Sequence, residues 1–185
     1  MKNVIKIINS KRIYSGNISL RLDRFNLNNK IIEKEIVEHQ PSIGLIPVID
    51  GTDILFVIQY RHAVGKNILE IPAGKIEKGE TPKQTALREM REEIGYTGKL
   101  SPVMKWYLAP GYDTELMHIF IATNLKKIKK SKADLDDDEN IVVRRIKFTS
   151  AIKKCINGEI QDAKTVAALL VYAKVLELNA HECNK

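Results

Sequence analysis

Glu80, Glu89, Glu92 and Glu93 recur at set distances within one stretch, Gly74 to Tyr96, that reads GKIEKGETPKQTALREMREEIGY. Carboxylates gathered in this number are ligands for hard divalent cations, which take oxygen donors. A pair of Glu alone would read as a solvated acidic face. The full spacing, with Gly74 ahead of it, Arg88 inside it and Gly95 behind it, is too specific for that and marks a functional site.

A helix must position these groups, and its ends are legible. Thr81 suits the N-cap, Pro82 the first helical position and Gln84 the third, which completes a capping box. Gly95 suits the left-handed residue that stops a helix. At about 100° per residue, Glu89, Glu92 and Glu93 fall within roughly a third of the circumference. Leu87, Met90 and Ile94 fall on the other side as a core-facing stripe. Like charges three or four residues apart repel by a few tenths of a kcal/mol, on the order of 0.3 per pair, so a helix that keeps such repulsion is expected to have something bound there.

The rest of the chain supplies a mixed sheet flanked by helices. Ile18, Leu20 and Leu22 alternate with polar residues, and Ile31 to Val37 does so more loosely. Leu45–Ile49 and Ile54–Gln59 are apolar runs joined through Asp50-Gly51, a hairpin signal. Pro102–Leu108, Leu116–Ala122 and Ile141–Phe148 read as further strands. Thr149 or Ser150 is expected to cap a short helix with Ile152, Cys155 and Ile156 on one side and Gly158 at its end. Asp162 is expected to cap a last helix from Ala163 to about Leu178.

Bulk properties narrow the class. At 185 residues the chain can bury a substantial core. The longest apolar run, Val166–Ala173, is far too short for a bilayer, so no membrane partner is expected. The N-terminal MKNVIKIINSKR is broken by polar residues and lacks a signal-peptide core, so the expected compartment is the cytoplasm. Cys155 and Cys183 show no CxxC spacing and read as free thiols. The net charge of +7 suits a phosphorylated substrate or a nucleic acid. Its one dense run, Lys126 to Lys132, is followed at once by Asp134 to Glu139 and has no interleaved aromatics, so it reads as a solvated loop with no nucleic-acid partner. His39, His62, His118 and His181 are scattered and receive no role.

Gly74, Glu80, Arg88-Glu89-Met90, Glu92-Glu93 and Gly95-Tyr96 together resemble the Nudix box, with Met90 and Tyr96 as its bulky apolar positions. The flanks resemble the ADP-ribose pyrophosphatase branch of that family. They are Gln59-Tyr60-Arg61, Glu70-Ile71-Pro72-Ala73 leading into the box, Ala109-Pro110-Gly111-Tyr112 followed by Glu115, Asp136 to Glu139, and Asp162-Ala163-Lys164-Thr165. The likeness runs from Ile13 to Tyr172 and is strongest in the box and its lead-in. Three positions depart from the branch: Ala109 stands for a Ser, Asp137 for a Glu and Asn140 for an apolar residue. None is a box carboxylate, so they bear on substrate preference.

The resemblance implies an α/β fold, the Nudix α/β/α sandwich with a mixed sheet, plus an N-terminal antiparallel β extension. Residues 1–40 would form the extension and 41–185 the hydrolase domain. It implies hydrolysis of ADP-ribose to AMP and ribose 5-phosphate with two or more Mg²⁺ or Mn²⁺ ions per site. The metal ligands would be the Ala73 carbonyl, Glu89, Glu92 and Glu93, with Arg88 orienting the carboxylates and Glu80 structural or metal-supporting. Glu139 would be the general base. Arg61, Glu70, Pro110, Gly111 and Glu115 would bind substrate, Arg61 through its guanidinium fork. A homodimer exchanging the extension would follow, with Tyr14 or Phe25 as candidates to stack on adenine. The alternatives are another nucleoside diphosphate sugar such as GDP-mannose, or a non-catalytic nucleotide sensor. Intact box carboxylates weigh against the sensor.

Overall fold

Near-continuous apolar runs form the centre of the main sheet. β4 (Ser42–Ile49, SIGLIPVI) and β5 (Asp53–Arg61, DILFVIQYR) are buried along most of their length, as strands covered on both faces must be. The structure, a computed structural model, describes residues 5–128 and 141–182. The strands preceding these two are β1 (Ile7–Ser15), β2 (Ser19–Leu27) and β3 (Lys30–Glu38). After them come β6 (Lys66–Glu70), β7 (Ala73–Lys75), β8 (Tyr96–Tyr107), β9 (Leu116–Lys127) and β10 (Val142–Lys147). The helices are α1 (Pro82–Glu89), α2 (Phe148–Ile156) and α3 (Ala163–Glu182).

The main sheet runs β10-β5-β4-β9-β8, with β6 paired to β5 and β7 to β4. The hairpin signal between β4 and β5 is realised as the loop Asp50-Gly51-Thr52, in which Asp50 and Gly51 take φ of 51° and 74°. On one face Ile43, Leu45, Leu55 and Val57 pack with Ala86, Met90 and Ile94 of the box helix. Burying each of these side chains except that of Ala86 contributes about 1.5–3 kcal/mol. Ile54 and Phe56, out of phase with Leu55 and Val57, are buried too, as are Ala151, Ala168, Leu169 and Tyr172 on α2 and α3. Tyr172 meets Phe148 edge-on, with ring centroids 5.1 Å apart. This is the α/β/α sandwich with a mixed sheet and an added antiparallel sheet that the sequence led us to expect.

The chain divides into two compact units, Met1–Ser42 with Lys105–Met117 and Ile43–Met104 with His118–Lys185. In the first, β1, β2 and β3 form an antiparallel sheet in that order. A polar seam crosses it: Arg21 bonds Asp23 and Glu38, Arg12 bonds Glu38, and Ser10 donates to Asp23.

Some local expectations are corrected. The box helix is α-helical only to Glu89; Met90–Ile94 form a π turn. Leu87 is 37% exposed, and the buried stripe is Ala86, Met90 and Ile94, because Leu87 stands about 100° round the axis from Ala86. α2 begins at Phe148 and has no side-chain cap, so neither Thr149 nor Ser150 serves. Ile156 is 74% exposed and leaves the apolar side to Ala151 and its neighbours. Lys126 and Lys127 belong to β9, not to a loop. Among the described residues no helix is long and apolar enough to cross a membrane.

Candidate active site

The box is assembled around Arg88. Its Nε donates to Glu80 Oε1 at 2.9 Å, and its Nη1 to Glu89 Oε1 at 2.8 Å and Glu92 Oε2 at 2.9 Å. Its Nη2 reaches Glu80 Oε2 at 3.2 Å and the Lys75 carbonyl of β7 at 3.1 Å. One guanidinium therefore touches three carboxylates and the strand opposite. Partial burial works against its charge, but the bonds from Glu80 and Glu92 and the charge of Glu89 outweigh this and hold its pKa above the ordinary value. Arg88 thus offsets part of the repulsion among these Glu residues.

Glu80 is held from three sides. Besides Arg88 it accepts from the fully buried Thr85 hydroxyl at 2.7 Å and from the Glu77 N–H at 3.1 Å. Arg88 first, then Thr85, lowers its pKa to about 2. The capping box forms as the sequence indicates: Gln84 N donates to Thr81 Oγ1 at 3.3 Å and Thr81 N to Gln84 Oε1 at 2.8 Å.

At the other end of the helix, Glu93 is 4% exposed and its Oε2 accepts the Ala73 N–H at 3.0 Å. Gly95, at φ 73°, closes the π turn: its N–H is shared between Arg91 O, at 3.0 Å, and Met90 O five residues back. Turns with i→i+5 bonds insert an extra residue and are frequent at functional sites. Glu89 and Glu92 thus share Arg88 while Glu93 is fixed to the lead-in strand. Gly74 is a steric requirement: a Cβ there would lie 1.8 Å from Glu89 Oε1. Among the described residues no three acidic, His or Cys side chains are gathered into a ready metal-holding group, and Arg88 Nη1 bridges Glu89 and Glu92. The donor set is nonetheless of the right chemistry. Hard carboxylate oxygens line one helix face, and the missing side chain of Gly74 gives the Glu89 carboxylate its place there.

A second cluster adjoins the lead-in. Glu70, only 2% exposed, receives Arg61 Nε on Oε1 and Nη2 on Oε2, both at 2.7 Å. It also accepts from Lys164 Nζ, which in turn bonds Asp162 Oδ1 at 2.9 Å. Burial pushes the Glu70 carboxyl up, but the bonds from Arg61 and the charge of Lys164 more than offset it and leave the pKa below the ordinary value. Arg61 also feels the charge of Glu93, so the two clusters are within electrostatic reach. Asp162 caps α3 as expected, accepting Thr165 N at 3.0 Å, while Thr165 Oγ1 takes the Ile71 N–H at 2.8 Å. The sequence marked Asp162, Lys164 and Thr165 only as a cap and part of a resemblance. That Glu70 pairs with a basic neighbour fits its sequence reading; that this neighbour is Lys164, and that Thr165 binds Ile71, is set by tertiary placement.

Pro110, Gly111 and Glu115 belong to the first unit. Tyr112 N and Asp113 N both donate to Ala109 O, at 3.1 and 2.9 Å, so Pro110-Gly111 is a turn, held to β3 by Val37 N to Tyr112 O at 2.7 Å. A side chain at Gly111 would meet open space. Glu115 accepts from the buried Ser42 hydroxyl at 2.6 Å, and its other oxygen lies 3.7 Å from His39 Nδ1. Glu139, the candidate base, lies outside the described residues, as do Asp136 to Asp138 and Cys183.

Comparison with known proteins agrees with this geometry. The NUDIX domain model matches residues 38–169. The chain is 40% identical over 167 residues to an ADP-ribose pyrophosphatase of Bacillus subtilis, covering 89% of this chain and 90% of that protein. It is 36% identical over 183 residues to a methanol dehydrogenase activator of Bacillus methanolicus, covering 96% of each. A solved structure described as an ADP compounds hydrolase superposes with a TM-score of 0.82 over 95% of both chains at 19% identity, a likeness of fold.

Proposed function

The chain belongs to the Nudix family and is a Nudix pyrophosphohydrolase, and from that premise we propose that its substrate is ADP-ribose, cleaved at the pyrophosphate to AMP and ribose 5-phosphate. The observation that carries this reading is the pairing of two clusters. Arg61, which interacts electrostatically with Glu93 of the box, has a side chain that is 40% exposed and an inner edge fixed by Glu70. A guanidinium held along one edge presents the other to a phosphate.

Glu89, Glu92, Glu93 and the Ala73 carbonyl would hold Mg²⁺ or Mn²⁺, two or more ions per site. When bound, such ions neutralise charge on the pyrophosphate and acidify water. The chain's own groups do the rest. Arg88 limits repulsion among the carboxylates and fixes their directions. Arg61 orients the phosphates for in-line attack. Glu139 takes the proton of the attacking water. Pro110, Gly111 and Glu115 are proposed as further substrate-binding residues.

The N-terminal extension is read as the dimerisation element, exchanged between two subunits. β1 leaves Ile7, Ile8, Ile13 and Tyr14 exposed, and three strands alone bury little surface. In this reading Tyr14 or Phe25 stacks on the adenine. The free thiol of Cys155 suits a cytoplasmic protein.

A panel of nucleoside diphosphate sugars and nucleoside triphosphates, assayed with Mg²⁺ and Mn²⁺ for released phosphomonoesters, tests the reading. ADP-ribose should give the highest kcat/KM. Preference for GDP-mannose, or for a triphosphate, would overturn it.

A further inference from the structure

A cavity of about 330 Å³ flanks the box helix, lined by Gln84, Leu87, Arg88, Arg91, Thr97 and Ile128. The first four recur every three or four residues and so share one face of the helix and its π turn. That face lies away from the buried stripe of Ala86 and Met90. Thr97 stands near the start of β8, and Ile128 follows β9, where its N–H donates to Gly95 O at 3.0 Å. The volume is at the small end of the range for ligand sites, room for one ring and one charged group.

Its polar lining offers donors. Gln84 Oε1 is taken by Thr81 N at 2.8 Å and Thr81 Oγ1 at 2.7 Å, so the group this amide can still offer is its NH₂. All five guanidinium hydrogens of Arg88 are committed to Glu80, Glu89, Glu92 and the Lys75 carbonyl. Toward the cavity Arg88 therefore supplies its methylene stem. Arg91 differs: its side chain is 48% exposed, and its Nη2 meets Glu92 Oε1 at 3.3 Å, longer than a usual N–H···O bond. Thr97 adds an exposed hydroxyl. Guanidinium, amide and hydroxyl outnumber the two oxygens of a carboxylate and match the three terminal oxygens of a phosphate monoester. Leu87 and Ile128 form an apolar wall for the rest of such a ligand.

We propose that this cavity is an effector site for a small organic phosphate monoester, and that occupancy acts on the box through Glu92. Glu92 is the link between the two places: its Oε2 takes Arg88 Nη1 at 2.9 Å and its Oε1 takes Arg91. A phosphate on Arg91 draws that guanidinium from Glu92 and adds negative charge beside the carboxylates. Both changes favour a divalent cation at the box. The effector thus lowers the Mg²⁺ requirement, and by linkage Mg²⁺ tightens the effector by the same factor. Charge explains why the two sites need each other: Arg88 and Arg91 against Glu80, Glu89 and Glu92 leave an excess negative charge that bound cations reverse. The coupling rests on the reading of Glu92 as a metal ligand; the phosphate site does not.

The test is a titration of the full-length, ¹⁵N-labelled protein with phenyl phosphate, followed by NMR, without metal and then at saturating Mg²⁺. The amides of Leu87, Arg91 and Thr97 should shift with a Kd of about 1 mM or tighter, the scale for a ligand this small. Mg²⁺ should lower that Kd about 5-fold, and saturating phenyl phosphate should lower the calorimetric Kd for Mg²⁺ equally, once the phosphate's own hold on Mg²⁺ is subtracted. Arg91→Met and Leu87→Glu, both at exposed positions, should keep the native spectrum and weaken phenyl phosphate about 10-fold. Arg61→Ala should leave the shifts in place. Absence of shifts at these amides overturns the proposal, as do shifts that Arg91→Met leaves unaltered or that Arg61→Ala abolishes. A Kd for Mg²⁺ indifferent to phenyl phosphate overturns the coupling. Glu92→Gln separates the two readings: unchanged Mg²⁺ affinity in that variant refutes Glu92 as a ligand, while the phosphate site is decided by the Arg91 comparison.

Discussion

Gly74 and Glu89 occupy what would otherwise be one space: the Cβ that Gly74 lacks would fall 1.8 Å from Glu89 Oε1 and 2.1 Å from its Cδ. The obstructing atoms are the far end of a flexible side chain, so the fold can yield where the site cannot. Gly74→Ala should therefore express and melt within a few degrees of the parent, roughly the effect of 1 kcal/mol or less. Its hydrolytic rate should fall and its Mg²⁺ requirement rise, because the Glu89 carboxylate is pushed aside. An unaltered Mg²⁺ titration in the variant would show that the position of Glu89 is immaterial.

Glu93→Gln keeps an oxygen to accept the Ala73 N–H but removes the charge. Folding should survive, and turnover at limiting Mg²⁺ should drop by more than the ~10–100-fold seen when a group merely supporting a ligand is lost. Wild-type turnover under those conditions would remove Glu93 from the ligand set.

Glu80 carries a pH signature. Its pKa falls from an ordinary 4.5 to about 2 on folding. A depressed carboxyl stabilises the native state fully above its unfolded pKa and ceases to do so as pH falls through the folded value. The melting temperature of the wild type should thus lose a component between about pH 4.5 and pH 2 that Glu80→Gln does not have. The variant should melt lower at neutral pH and show a flatter acid limb. Two parallel limbs would deny the Glu80–Arg88 bond its share of stability.

Glu139→Gln should lower kcat by roughly 10²–10⁴ and leave KM nearly unchanged, the scale of a lost general base. Near-normal kcat in this variant, with loss in Glu92→Gln or Asp138→Asn, would move the base to another carboxylate.

What could be read from the chain was what neighbours in sequence decide. Thr81, Pro82, Gln84 and Gly95 act within a turn of the groups they cap, and Asp50-Gly51 sets its hairpin alone. The π turn at Met90–Ile94 was not legible, because the bond that fixes Glu93 comes from Ala73, on another element. β1 is exposed along its whole length and offers no buried alternation to find. β7 is only three residues long. The partnership of Lys164 with Glu70 depends on where α3 begins relative to β6, which no local pattern encodes. Leu87 was misplaced for a related reason: several helix faces satisfy a 3.6-residue period, and packing against Leu55 and Val57 selects the one centred on Ala86 and Met90.

Arg88 also bears on the order of events in the life of the chain. In small domains whose ligand side chains converge only around a metal, the unloaded polypeptide stays unfolded and chelation denatures it. Here an internal counter-ion is written into the box itself, so the acidic helix can form before any divalent ion arrives. On the proposed metal dependence, maturation and activation would be separate steps: the polypeptide would fold in ion-poor surroundings and gain activity when Mg²⁺ is supplied. Exhaustive chelation should accordingly abolish turnover while the far-ultraviolet circular dichroism stays native, and restored Mg²⁺ should return activity without a refolding lag.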